Sequence, residues 1–154
     1  GYEDGTFQAE NITNRAEFMK LAVVSAGVEE TTLSTYGNCF PDVTTQWYAS
    51  YVCYGKEKGW IQGYPDGFFR PEQTINRVEA IKMVVNVLGL EMKPDFAWDG
   101  QLFMDTESGA WYLPFVNIAY SLGLINQPAD KLLHPADGMS RGALADLLSR
   151  ALAL

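Results

Sequence analysis

Histidine and cysteine are scarce in this 154-residue chain: one histidine, His134, and two cysteines, Cys39 and Cys53. A zinc site gathers three or four such ligands, so two thiols and one distant imidazole make no ligand set, and no metal or other cofactor is expected. Cations are also few. Eleven Lys and Arg face 19 Asp and Glu, a formal net charge of −8, and the basic residues are scattered singly. Phosphate-backbone binding needs clustered Lys and Arg, so nucleic acid is not an expected partner. No apolar run approaches the roughly 18 residues of a membrane span, and no membrane insertion is expected. A hydrophobic fraction of 47% against a charged fraction of 19% excludes disorder. The length suits one compact domain that buries roughly 68–70% of its unfolded surface. The acidic surplus suits a soluble, self-repelling extracellular surface.

What the chain does have is a long internal repeat. Residues 1–18 read GYEDGTFQAENITNRAEF and residues 63–80 read GYPDGFFRPEQTINRVEA. A shift of 62 positions superimposes Gly1 on Gly63, Asp4 on Asp66, Phe7 on Phe69, Arg15 on Arg77 and Glu17 on Glu79. A second half-signature recurs further on: Phe40, Asp42 and Trp47-Tyr48 match Phe103, Asp105 and Trp111-Tyr112. Fixed periods of this length mark one structural unit used repeatedly, and repetition points to several similar surfaces rather than one catalytic centre.

The periodicity within each unit is helical. Ile81, Val84, Val85 and Leu88 stand at i, i+3, i+4 and i+7, and Leu144, Leu147, Leu148 and Ala151 repeat the stripe, with Phe18, Leu21, Ala22 and Ser25 a weaker version. Trp47 and Trp111 each open another helical stretch, which Gly59 and Gly123 should end in the left-handed region. One unit is therefore a loop, a Trp helix, a GYxDGxF turn and a second helix. The chain divides into a partial repeat at 1–27, a complete repeat at 40–90 and a degenerate one at 103–152. Segments 28–38 and 91–102, the latter holding Pro94, Asp95 and Gly100, are expected to be linkers. Five helices and almost no sheet are expected.

Each second helix should start on a defined cap. Asn14-Arg15-Ala16-Glu17 and Asn76-Arg77-Val78-Glu79 place an N-cap Asn three residues before a Glu, the capping-box arrangement, so Glu17 and Glu79 have a structural account. Ser140-Arg141-Gly142-Ala143 lacks the Glu and should start a weaker helix. Asp4-Gly5 and Asp66-Gly67 should form tight turns with Gly5 and Gly67 at positive φ, since the acidic spacing is wrong for a calcium loop. The arginine resists a purely local account. At the first helical position a cation opposes the helix dipole, yet Arg15, Arg77 and Arg141 all stand there. Two readings are open: a receptor for a carboxylate or phosphate, built from guanidinium and free helix-start amides, or a salt bridge to the neighbouring unit. Trp47 and Trp111 are either core or platforms for a sugar face. His134 takes the place of Arg70 before a proline, as a solvated turn residue.

Cys39 and Cys53 are 14 positions apart, and two readings stay open for them as well. They are either buried free thiols or a disulfide from the loop before the first Trp helix to the helix itself. The disulfide, which would contribute roughly 3 kcal/mol in the loop-entropy view and imply an oxidising compartment, is the expectation taken forward.

The strings FPDV, Trp47, GYPDGFFRP and INRVE closely resemble the S-layer homology domain, as do GYEDGTF and TNRAE before them and FMDT, Trp111 and MSRGA after them. The resemblance covers nearly the whole chain apart from the linkers. The first unit lacks the Phe-x-Asp and Trp half, and the third has lost the Gly-Tyr and the Gly of its turn. What the resemblance implies is an all-α fold of repeated helix–loop–helix units around a central helical bundle, in a pseudo-threefold arrangement. It implies a non-catalytic anchoring module at the extracellular surface or cell wall of a prokaryote. Its partner would be an anionic, pyruvylated cell-wall polysaccharide held in grooves between repeats, with Arg15, Arg77 and Arg141 on the carboxylate and Asp42, Trp47, Asp105 and Trp111 near the grooves. The alternative is an assembly module that contacts other surface-layer subunits. Paired carboxylates such as Asp42 and Glu79 raise an enzyme as a third reading, but no nucleophile–base constellation supports it.

Overall fold

A computed structural model describes residues 4–93 and 101–154. Gly1, Pro94, Asp95 and Gly100 lie outside the described residues. Among the described residues six helices occur where five were expected: α1 (Arg15–Ser25), α2 (Glu30–Leu33), α3 (Ala49–Glu57), α4 (Arg77–Val87), α5 (Leu113–Ser121) and α6 (Arg141–Leu152). The extra one, α2, is a single turn inside segment 28–38. It forms because Leu33 is buried in the core, so this stretch has a reason to fold that its Thr- and Ser-rich composition concealed. Among the described residues, extended pairing is limited to isolated bridges.

Both capping boxes form. Asn14 Oδ1 accepts from the Glu17 amide at 2.9 Å while Glu17 Oε2 accepts from the Asn14 amide at 3.1 Å. Asn76 and Glu79 reproduce these two bonds at the start of α4. At α6 only Ser140 Oγ caps, accepting from the Ala143 amide. The poorer cap does not shorten α6, which at 12 residues is the longest of the six. Tertiary burial of Leu144, Leu147, Leu148 and Ala151 outweighs a capping difference of about 1 kcal/mol.

Helices α1, α4 and α6 contact one another pairwise, and a closed ring of backbone bonds joins the segments just before them. The Thr13 amide donates to the Met139 carbonyl (2.9 Å), Met139 to Ile75 (3.0 Å) and Ile75 to Thr13 (3.1 Å). Further amides at each helix start are handed on in the opposite direction around the units: Arg15 to Gln73, Arg77 to Asp137 and Arg141 to Asn11. Outside this centre, α3 packs on α1 and α5 packs on α4. A Trp helix thus leans on the second helix of the preceding unit, so the unit that repeats in sequence is out of phase with the pair that packs.

The turns before α4 and α6 are held by carboxylates from the loops upstream. Asp42 Oδ1 and Oδ2 accept from the Phe69 and Arg70 amides (3.0 and 2.6 Å), and Asp105 accepts from Leu133 and His134 (both 2.7 Å). Arg70 and His134 both lie in the left-handed region, at φ of 58° and 53°. That conformation costs a side-chain-bearing residue about 1–2 kcal/mol, and the paired charge-assisted bonds offset it. Gly5 and Gly67 take positive φ as their turns require, but the third copy places Lys131 there, at φ 56°.

Burial pushes the Asp105 carboxyl up, but the Leu133 and His134 amides outweigh it and hold its pKa below the ordinary 3.8. A depressed folded-state pKa contributes stability that is complete above the unfolded value and lost as pH falls through the folded one. Melting temperature should therefore drop as pH is lowered below about 4, and Asp105→Asn should flatten that part of the profile. An unchanged slope in Asp105→Asn would remove this carboxylate from the account.

Candidate functional site

The sulfurs of Cys39 and Cys53 are bonded, closing the loop onto α3 with Cα atoms 5.4 Å apart. Beyond this bridge lies a groove of about 510 Å³, bounded by the start of α1, the turn at 60–65 and one wall of α4. Its floor is a polar cluster. Arg15 is buried, its guanidinium held between the rings of Tyr64 and Phe69 at 4.8 and 4.7 Å. Nε donates to the Phe69 carbonyl at 2.9 Å, and Nη1 meets Glu79 Oε1 at 3.3 Å. The same Glu79 oxygen accepts from Tyr64 OH, which in turn accepts from Gln73 Nε2.

Burial pulls the Arg15 pKa down from its usual value, opposed by Tyr64 and Glu79, and the group stays cationic. Burial also pushes the Tyr64 hydroxyl up, so it remains a neutral donor to Glu79.

The walls of the groove are aromatic and cationic. Trp60 and Trp111 line it together with Lys82, whose Nζ stands 5.3 Å from the Trp111 ring centroid and 5.6 Å from that of Phe115. An equivalent cluster recurs beside α1, where Lys20 Nζ stands 5.6 Å from Trp47 and 5.9 Å from Tyr51. Trp47 and Trp111 are 57% and 53% exposed, so neither is core.

A second groove, of about 220 Å³, repeats the first one unit along: Arg77 takes the place of Arg15, and Ile125 and Asn126 those of Ile61 and Gln62, facing Ala143, Asp146 and Arg150 of α6. Among the described residues Arg77 Nε is buried without a hydrogen-bond partner. Arg141 repeats part of the Arg15 arrangement: its Nε donates to the Phe7 carbonyl at 3.0 Å and its guanidinium stands 5.2 Å from the Phe7 ring.

The structure thus brings Arg15, Glu79 and Trp111 into one groove and puts Arg77 in another. Trp47 stands beside Lys20, while Asp42 and Asp105 are engaged by the turn amides already described. The helix-start amides are not free: those of Arg15 and Ala16 donate to Gln73 and Pro71, those of Arg77 and Val78 to Asp137 and Pro135, and those of Arg141 and Gly142 to Asn11 and Ala9. Any anion here must be met by side chains. The salt bridge to a neighbouring unit holds at Arg15, through Glu79.

Sequence reasoning missed Lys82 and Tyr64 as groove residues. A signal existed for the lysine, since Lys20 and Lys82 both follow their motif arginine by five positions.

Residues 40–81 and 103–145, more than half of the chain, match the S-layer homology domain. The middle cell wall protein of Brevibacillus brevis is 29% identical over 133 residues, covering 85% of this chain and 12% of the relative. The S-layer protein sap of Bacillus anthracis is 32% identical over 135 residues, 84% of this chain and 15% of its own. The cellulosome-anchoring protein of Acetivibrio thermocellus is 26% identical over 154 residues, 99% of this chain and 34% of its own. The chain therefore spans a minor part of the length of each relative.

Proposed function

The chain belongs to the S-layer homology domain family, and from that premise we propose that it is a non-catalytic module anchoring a surface protein to the prokaryotic cell wall through an anionic, pyruvylated polysaccharide. The observation that carries the reading is the larger groove, where aromatic side chains and cations meet in one cleft. A sugar ring presents an apolar face that suits Trp111, and a ketal-linked carboxylate suits a cation beside it. Relatives are surface-layer and cell-wall proteins, one of them named for anchoring, which supports the extracellular cell surface as the site of action. The repeats at 1–27, 40–90 and 103–152 are read as three units in a pseudo-threefold arrangement, which the ring through Thr13, Ile75 and Met139 supports.

Co-sedimentation with purified cell-wall sacculi tests the reading. The protein should pellet with intact sacculi and stay in solution once the polysaccharide has been stripped. Arg77→Ala should weaken pelleting with little change in melting temperature, because among the described residues no ion pair ties Arg77 to the fold. Pelleting that survives stripping would favour the second reading, an assembly module for other surface-layer subunits.

A further inference from the structure

The two grooves carry the same surplus charge in different places. In the first, Arg15 is answered by Glu79, which among the described residues leaves Lys82 as the uncompensated cation. In the second, Ala143 stands for Glu79, Asp146 for Lys82 and Arg150 for Asn86. Asp146 and Arg150 pair at 2.9 Å, which leaves Arg77. Each groove thus holds two cations and one carboxylate, but the free cation is at the start of the helix that carries the motif arginine in one and on the facing helix in the other.

The surroundings of Lys82 suit a ligand contact. Trp111 and Phe115 hold its ammonium through their rings, which attract a cation without neutralising it. Among the described residues no carboxylate lies within ion-pair distance of Lys82. Arg15, by contrast, spends Nε on the Phe69 carbonyl and Nη1 on Glu79 and is nearly closed off from solvent. Volume separates the grooves too. At about 510 Å³ the first suits a ligand of sugar size, whereas 220 Å³ falls below the usual range for such sites.

We propose that the motif arginine is not the anion contact in the larger groove. Lys82 receives the carboxylate of an acidic sugar there, with the sugar face against Trp111, and Arg15 is a positioning residue that fixes Tyr64 and the groove floor. In the smaller groove Arg77 itself receives a small carboxylate. This rests on the anchoring reading and specifies how its two grooves divide the work.

The test titrates the protein with the methyl glycoside of a hexose bearing a pyruvate ketal and with its uncharged methyl ester, following the Trp111 indole signal by NMR. The wild type should bind the acid and discriminate against the ester. Lys82→Gln should weaken the acid at least about tenfold, and Lys82→Arg should restore most of it. Pyruvate alone, small enough for the second groove, should shift the Arg77 Nε signal in the wild type. It should not do so in Ala143→Glu, which supplies Arg77 with the partner that Arg15 already has. Undiminished binding of the acid by Lys82→Gln would overturn the Lys82 assignment while leaving the anchoring reading in place. A pyruvate shift that persists in Ala143→Glu, or is missing from the wild type, would overturn the Arg77 assignment. A wild type that binds neither the acid nor the ester would overturn the glycan reading and this inference together.

Discussion

Arg15→Ala should lower the stability of the protein by about 3 kcal/mol, at the lower end of what breaking a buried pair costs. The reason for the lower end is Glu79, which keeps two other donors, the Asn76 amide and Tyr64 OH, and is not left as an orphaned charge. The loss comes instead from the Phe69 carbonyl, deprived of its donor, and from the space opened between the Tyr64 and Phe69 rings. At this chain length the melting temperature should fall by roughly 6–12 °C, readable by calorimetry. Arg77→Ala measured in parallel should move it far less. Equal shifts at the two positions would show that the arginines share one structural role, and the distinction drawn between their grooves would fail.

Opening the Cys39–Cys53 bridge should have an effect of similar size. Paired Cys39→Ala and Cys53→Ala substitutions release a closed loop of about 15 residues, which costs roughly 3 kcal/mol if the bridge acts by constraining the unfolded chain. The same loop presents Asp42 to the Phe69 and Arg70 amides. Hydrogen exchange at those two amides should therefore quicken more than exchange within α6, which lies outside the loop. A melting temperature indifferent to reductant and to the double substitution would mean that the core alone holds this segment.

Much of the fold was legible in the chain because it depended on short-range chemistry. Asn and Glu three residues apart predict a capping box wherever a helix follows, and both boxes formed at Asn14 and Asn76. Apolar residues spaced for one helix face predict burial, and Leu144, Leu147, Leu148 and Ala151 are all buried. Gly59 and Gly123 were expected to take positive φ at helix ends and do so, at 74° and 75°. The one-turn helix α2 was not legible, because four residues carry too little periodicity to outweigh a polar composition.

The site was legible only in part. Arg15, Arg77 and Arg141 look alike in sequence, since each follows a cap residue at the first position of its helix. What separates them lies far along the chain. Glu79 is 64 positions from Arg15, and its counterpart for Arg77 is an alanine. The expectation of free helix-start amides failed for a similar reason: their acceptors are carbonyls of other units, beyond the reach of local pattern.

The sequence by itself determined the helices, their caps, their buried faces and the recurrence of one unit, because these follow from residues within a few positions of each other. Tertiary structure alone decided that a Trp helix packs on the preceding unit and that backbone bonds close into a ring. It also decided which arginine is spent within the fold and which is left with an unpartnered donor. Those outcomes depend on which distant groups meet, and a charge is free or answered only once its neighbours in space are known.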